Sequence, residues 1–225
     1  MILCFETATS VCSVALTENG EIISFREINE GFSHAEKLTV FISEVLNEAG
    51  IKVKDLQAVA VSSGPGSYTG LRIGVSVAKG LCLAVDKPLL SISTLEAMAW
   101  GAKKKINKND LDILFCPMID ARRMEVYTAL YDFQLNCLHP SSAIILSQDF
   151  FAETIRGKKV YYFGDGAEKC RTILNSQNEF IFYPEIFPSA KYMALLALDK
   201  FKNNQFENIS MFEPFYLKEF QAVRK

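Results

Sequence analysis

Two stretches of this chain read as copies of one unit, and this repeat constrains the fold more than any other feature. Residues 2–16, ILCFETATSVCSVAL, align with the end of residues 115–130, FCPMIDARRMEVYTAL, placing Glu6 on Asp120, Ala15 on Ala129 and Leu16 on Leu130. Each copy is an apolar strand, an acidic residue, a short polar turn and a returning strand. A duplicated unit of this kind predicts an α/β protein of two related lobes facing each other across a cleft. Each lobe would carry a carboxylate at a strand end. Lys, Asn and Asp replace apolar periodicity between Lys103 and Leu111. The expected division is therefore residues 1–105 and residues 106–225, with the last helix able to pack back on the first lobe.

The pattern along the chain fills in the first lobe. Residues 2–6, 11–17 and 21–28 form a strand meander, with Asn19-Gly20 as its hairpin turn, because both residues tolerate positive φ. Ser33, with Glu36 three positions on, makes a capping box for a helix. Leu38, Phe41, Ile42, Val45, Leu46 and Ala49 form its apolar stripe, and Gly50 ends it. Gln57–Ser63 is a strand, a helix spans about Thr69–Val85, and a third helix starts near Thr94. In the second half, Leu114–Asp120 and Glu125–Tyr131 are strands, followed by a loose stretch through Pro140. A short helix follows Ser147. Lys159–Phe163 and Phe180–Tyr183 are strands, and the last long helix runs from Ser189 or Ala190 to about Asn203.

Composition excludes several functional classes. The 225 residues, 49% hydrophobic, suffice for one large or two small cores. A formal net charge of −2 argues against a surface that binds polyanions as a whole, and the run Lys103, Lys104, Lys105 and Lys108 reads as a solvated helix end. The six cysteines include no C-x-x-C pair and sit mostly in apolar patterns, as small hydrophobes in a reducing compartment would. No basic leader or cleavage site precedes the first strand, and no uninterrupted apolar run is long enough to span a membrane. A cytoplasmic location is expected.

The segment Ser62-Ser63-Gly64-Pro65-Gly66-Ser67-Tyr68-Thr69-Gly70-Leu71-Arg72 is the most unusual in the chain. A strand, a glycine-rich loop and a helix N-terminus could cradle an anion, or could simply make a tight structural turn. It is not a Walker A loop, and Thr69 stands where a dinucleotide fingerprint needs its third glycine. In the helix that follows, Gly70, Gly74 and Ala78 form one ridge and Ser76, Gly80 and Ala84 another. Apolar residues fill most of the rest, with Arg72 and Lys79 as the charged exceptions. A helix apolar nearly all round is expected to be buried nearly all round. Its small residues would admit a second helix at close range, from residues 33–49 or from a partner chain.

Glu6 and Asp120 could hold a metal-bound phosphate, act as acid and base, or cap their turns. Arg122 and Arg123 could pair at the surface or contact a partner carboxylate or phosphate. The two histidines are His34 and His139. Leu38 stands one turn after His34, where a metal site would want a second ligand. No G-x-S-x-G elbow and no plausible Ser/His/Asp set is present.

These residues resemble the bacterial TsaB family, also called YeaZ. The resemblance lies in Ile2–Leu16, in Ser63–Gly74 running on to Ala78-Lys79-Gly80-Leu81, in Asp120-Ala121-Arg122-Arg123-x-Glu125-Val126-Tyr127, and in Glu213-Pro214-Phe215-Tyr216-Leu217. It covers nearly the whole chain and is strongest in the first 100 residues.

The resemblance implies the duplicated two-lobed fold of actin, sugar kinases and Hsp70 (ASKHA). It also implies an accessory, non-catalytic subunit in the synthesis of threonylcarbamoyladenosine (t6A) at position 37 of tRNAs that read ANN codons. The implied partners are the paralogous transferase TsaD and the small ATPase TsaE, with a homodimer when the chain is alone and tRNA met indirectly. No cofactor is expected on this chain alone, ATP or ADP acting in the complex. Only Glu6, Thr7 and Asp120 are candidates for residual nucleotide contact, and Phe5-Glu6-Thr7 departs from the family's frequent Ile-Asp-Thr.

In the family the first two helices pair with their counterparts in TsaD or in a second copy. The resemblance thus implies an interface at Leu38, Phe41, Ile42 and Val45 on the first helix. On the second it implies Gly70, Leu71, Arg72 and Gly74, followed by Val75, Ala78, Lys79 and Cys82. The transferase's His-x-x-x-His metal pair is broken here, as His34 is followed by Leu38. The alternative is an independent nucleotide-binding enzyme of the same fold, kinase-like or a metallopeptidase.

Overall fold

The structure is a computed structural model and describes residues 1–29, 34–106, 111–145, 151–174 and 179–218. Ser33, Lys108 and Ser147, and the features expected there, lie outside the described residues. Two compact units are present. One comprises Met1–Ala97 with Pro188–Phe215; the other comprises Met98–Phe187 and the chain from Tyr216 onward. The helix Thr94–Lys105 therefore runs from one unit into the other, and the last helix belongs to the first.

In the first unit, β1 (Ile2–Glu6), β2 (Cys12–Glu18) and β3 (Glu21–Ile28) form the meander; α1 (His34–Glu48) follows. Then come β4 (Ala58–Gly64), α2 (Tyr68–Val85), β5 (Leu89–Ser93) and α3 (Thr94–Lys105). The sheet order is β3-β2-β1-β4-β5. β1 runs antiparallel to β2 and parallel to β4. Asn19 and Gly20 both take positive φ, 52° and 84°, as their hairpin turn requires.

The second unit repeats this plan. β6 (Ile113–Asp120), β7 (Glu125–Asp132), β8 (Cys137–Ile145), α4 (Ala152–Ile155), β9 (Lys159–Phe163), α5 (Arg171–Leu174) and β10 (Phe180–Phe182) follow in order. The sheet order is β8-β7-β6-β9-β10, with β6 antiparallel to β7 and parallel to β9. Each strand thus has a counterpart in the other unit, β1 with β6 and so on to β5 with β10. The internal repeat is a repeat of topology as well as of residues.

Two strands differ from expectation. β5 carries no sequence mark beyond a short apolar run. It pairs parallel to β4, which the α2 crossover makes possible. β8 replaces the loose stretch expected through Pro140. Proline weakens a strand prediction because it cannot donate to the ladder, but β8 is the sheet edge, where one side needs no donor.

Every residue of β1 is buried, so both of its faces are covered. One face carries α1 and α2, with Leu3, Phe5, Leu38, Ile42, Val45, Val75, Ala78 and Cys82 in one cluster. On the other lie α6 (Ala194–Lys202) and the turn Ala190–Tyr192. Ala190 N donates to Ser13 Oγ at 2.9 Å within this packing. The second unit has its own core of Leu114, Cys116, Met118, Leu130, Val160 and Tyr162 with Cys170 and Leu174.

By length and composition alone α2 is apolar enough to cross a bilayer. Its inner side is nevertheless packed into the core of the first unit. The lysines at the end of α3 are engaged locally. Lys103 lies over the Phe133 ring, Lys104 over Trp100, and Lys105 donates to the Glu185 carbonyl.

Candidate functional site

Glu6 ends β1 and is completely buried. Its Oε1 accepts the N–H of Ala8 at 2.6 Å, while Oε2 has no hydrogen-bond partner among the described residues. Burial pushes its pKa up to about 7, outweighing the hydrogen bonds that favour the carboxylate. Burial, with the Glu6 charge adding to it, also pushes the neighbouring Cys12 thiol up to about 11. Thr7 is buried as well, and its N–H donates to Ser62 Oγ at 3.4 Å. Both side chains are closed off from solvent.

Asp120, the counterpart of Glu6, repeats the local turn but not the environment. Its Oδ1 accepts the N–H of Arg122 at 2.8 Å, again two residues on. Unlike Glu6 it is exposed, and it is ion-paired with Lys169. Both carboxylates cap their turns.

The glycine-rich segment is filled by the protein itself. A β-carbon on Gly66 would lie 2.3 Å from the Ala8 carbonyl oxygen. On Gly70 it would lie 2.1 Å from the Thr7 carbonyl oxygen, and on Gly74 2.4 Å from Thr7 Oγ1. Ser67 N donates to the Ala8 carbonyl, and the Ser67 hydroxyl accepts Gly70 N at the start of α2. The turn after β1 therefore lies against the N-terminal half of α2, and these glycines make room for it. The anion-cradle alternative loses these two donors to the chain itself. His34, buried at the start of α1, donates from Nε2 to the Thr9 carbonyl at 2.6 Å, and burial lowers its pKa against the pull of that bond.

A family model described as TsaD, tRNA N6-adenosine threonylcarbamoyltransferase, matches residues 31–224. The tRNA threonylcarbamoyladenosine biosynthesis protein TsaB of Buchnera aphidicola subsp. Baizongia pistaciae is 30% identical over 97% of this chain and 98% of its own length. The chain belongs to the TsaB family.

The Escherichia coli TsaB is 38% identical over 58% of this chain. The chain spans about half the length of that relative and of those from Bacillus subtilis and Haemophilus influenzae. The solved structure of YeaZ from Pseudomonas aeruginosa superposes with a TM-score of 0.80 at 24% identity, over 96% of this chain and 99% of that one. A polyphosphate/ATP-glucomannokinase from Arthrobacter shares the fold at a TM-score of 0.52 and 8% identity, over 90% and 98% of the two chains. The fold is the duplicated actin and sugar-kinase architecture.

The structure redistributes the interface residues that the TsaB resemblance implies. On α1, Leu38, Ile42 and Val45 are buried in the core of their own unit. On α2 the same holds for Gly70, Leu71, Gly74, Val75, Ala78 and Cys82. These nine are packed within the subunit itself. Phe41 and Lys79 are half-buried and Arg72 is exposed.

The expectation that α2 is buried all round is also corrected. Its second ridge, Ser76, Gly80 and Ala84, is exposed in line with Arg72, and Leu83 is 70% exposed beside it. Ile73, Val77 and Leu81 border this ridge, half-buried. The sequence shows both ridges but not which one faces inward.

Proposed function

We propose that this chain is the non-catalytic scaffold subunit for threonylcarbamoylation of tRNA adenosine 37, binding and activating the TsaD transferase in the cytoplasm together with the TsaE ATPase. No nucleotide is held by the chain alone in this scheme; ATP or ADP acts in the assembled complex. Alone, the chain pairs with a second copy through the same surface. Membership of the family supports this reading.

The observation that carries it is the exposed ridge Arg72, Ser76, Gly80 and Ala84 on a helix whose inner side packs into the core. A β-carbon on Gly80 would have nothing within 4 Å, so its missing side chain serves no contact inside the subunit. A glycine within a helix costs about 1 kcal/mol relative to alanine. That loss is recovered where a partner helix approaches to backbone distance. Phe41 on α1 and Ile73, Val77 and Leu81 supply apolar flanks, with Arg72 and Lys79 as charged ends.

The test is light scattering on mixtures of this chain with TsaD from the same organism. The double variant Ser76→Arg, Gly80→Arg should remain folded and lose the complex, since both positions face solvent. A complex of undiminished affinity in that variant would defeat the proposal.

A further inference from the structure

The turn between β6 and β7 carries two cations that the scaffold role leaves unused. The chain reverses through Ala121–Met124, closed by Ala121 N to Glu125 O at 3.1 Å and Glu125 N to Arg122 O at 3.3 Å. Arg122 and Arg123 sit at φ 64° and 52°. Two successive left-handed residues are the usual place for glycine or asparagine, because a β-carbon crowds the following carbonyl there. Such strain persists only where the surroundings enforce it.

They do so here. Asp120 Oδ1 accepts Arg122 N, and Lys169 Nζ holds the Asp120 carboxylate with the carbonyls of Arg123 at 2.8 Å and Glu125 at 2.6 Å. The backbone is fixed from beneath while Arg122, Arg123 and Met124 stand exposed.

The acids around the turn are engaged elsewhere. Asp120 pairs with Lys169, Glu125 with Lys218 and Glu168 with Arg171, while Asp165 accepts the Asp120 N–H. Among the described residues neither Arg122 nor Arg123 has a carboxylate at ion-pair distance. The turn therefore presents two adjacent guanidiniums on a rigid base, with the neighbouring counter-charges already used.

We propose that this turn is a phosphate clamp, in which Arg122 and Arg123 bind the phosphodiester backbone of RNA. The guanidinium fork matches phosphate oxygens two at a time, and such contacts fix position without reading sequence. The proposal rests on the tRNA-modification reading and goes beyond it, because it puts the RNA directly on this chain. An acidic protein surface is the competing partner. Arginines at protein hot spots sit within well-packed, desolvated pockets, whereas the tip of this turn is solvent-exposed and has Met124 as its one apolar side chain. The chain's net charge of −2 means that such binding must come from a local site of this kind.

The test titrates an unmodified transcript of an ANN-reading tRNA against the complex of this chain with TsaD, at several salt concentrations. Two variants are compared with the wild type: Arg122→Ala with Arg123→Ala, and Arg122→Gly with Arg123→Gly. The glycine pair relieves the left-handed backbone and guards against loss through misfolding. Both variants should bind RNA about tenfold more weakly, and the slope of log affinity against log salt should be shallower by about 1 to 2. Complex formation should be unchanged, and the glycine pair should melt no lower than the wild type.

Wild-type RNA affinity and slope in both variants would overturn the clamp. So would loss of TsaD with RNA binding intact, which would make the turn a protein-docking site. Should the wild-type proteins form no complex, the scaffold reading fails instead, and the same titration on this chain alone decides the clamp.

Discussion

Thr7 Oγ1 occupies the space that a side chain on Gly74 would need: a β-carbon there would lie 2.4 Å away. Gly74→Ala should therefore destabilise the protein by about 1–3 kcal/mol through overpacking. Gly80→Ala, in open space, should stabilise it by about 1 kcal/mol through helix propensity. Urea unfolding of the two variants at low protein concentration distinguishes them. Equal effects of the same sign would show that the turn after β1 does not press on α2.

Glu6 makes stability fall as pH rises. Its folded pKa of about 7 lies above the ordinary value of 4.5, so between these values the folded state binds more protons than the unfolded chain. Its destabilising contribution is absent below about pH 4.5, grows through the window, and is complete above about pH 7, on the order of 3 kcal/mol. Glu6→Gln should raise the melting temperature at pH 8 and flatten the wild-type slope between pH 4.5 and 7. A wild-type melting temperature that rises across that window, unaltered in the variant, would refute this account.

Ser13 gives its hydroxyl oxygen to the N–H of Ala190, and both residues are buried. Ser13→Ala would leave that N–H without its acceptor, at about 1–3 kcal/mol. Denaturant unfolding should show the loss, and amide exchange should quicken around residues 190–202. Unchanged exchange there would mean that this bond does not hold the returning segment.

Lys169 ties Asp120 to the carbonyls of Arg123 and Glu125. It is partly exposed, so Lys169→Ala should cost only about 1–2 kcal/mol. The clearer readout is local: amide exchange at residues 120–125 should accelerate well beyond that of the β6–β7 ladder. A variant with wild-type exchange at those amides would show that the turn holds its left-handed backbone without this lysine.

Much of the fold is legible in the residues because it depends on local chemistry. Asn19-Gly20 announces its hairpin through tolerance of positive φ, and the Glu6 and Asp120 copies announce the duplication by aligning residue for residue. The family is legible in the glycine-rich segment for a similar reason: those glycines are fixed by close backbone approach, and such positions admit few substitutes. β8 is hidden by Pro140, because only the strand order shows that the residue sits on an edge. β5 is hidden because a five-residue strand buried on both faces as far as Ile92 has no periodicity to display.

The candidate surface is where sequence and structure part. By itself the sequence determines that α2 carries two small-residue ridges, that Glu6 and Asp120 end equivalent strands, and that Arg122 and Arg123 follow the second acid. Only the tertiary structure decides that Gly74 and Ala78 face inward while Ser76 and Gly80 face out, that Glu6 is sealed while Asp120 is exposed and paired, and that both arginines stand clear of any carboxylate among the described residues. The physical reason is the same in each case. A helix apolar on all sides has no face marked by its own pattern, and a charge has no environment until the elements around it pack. Both are settled by contacts between residues far apart in the chain.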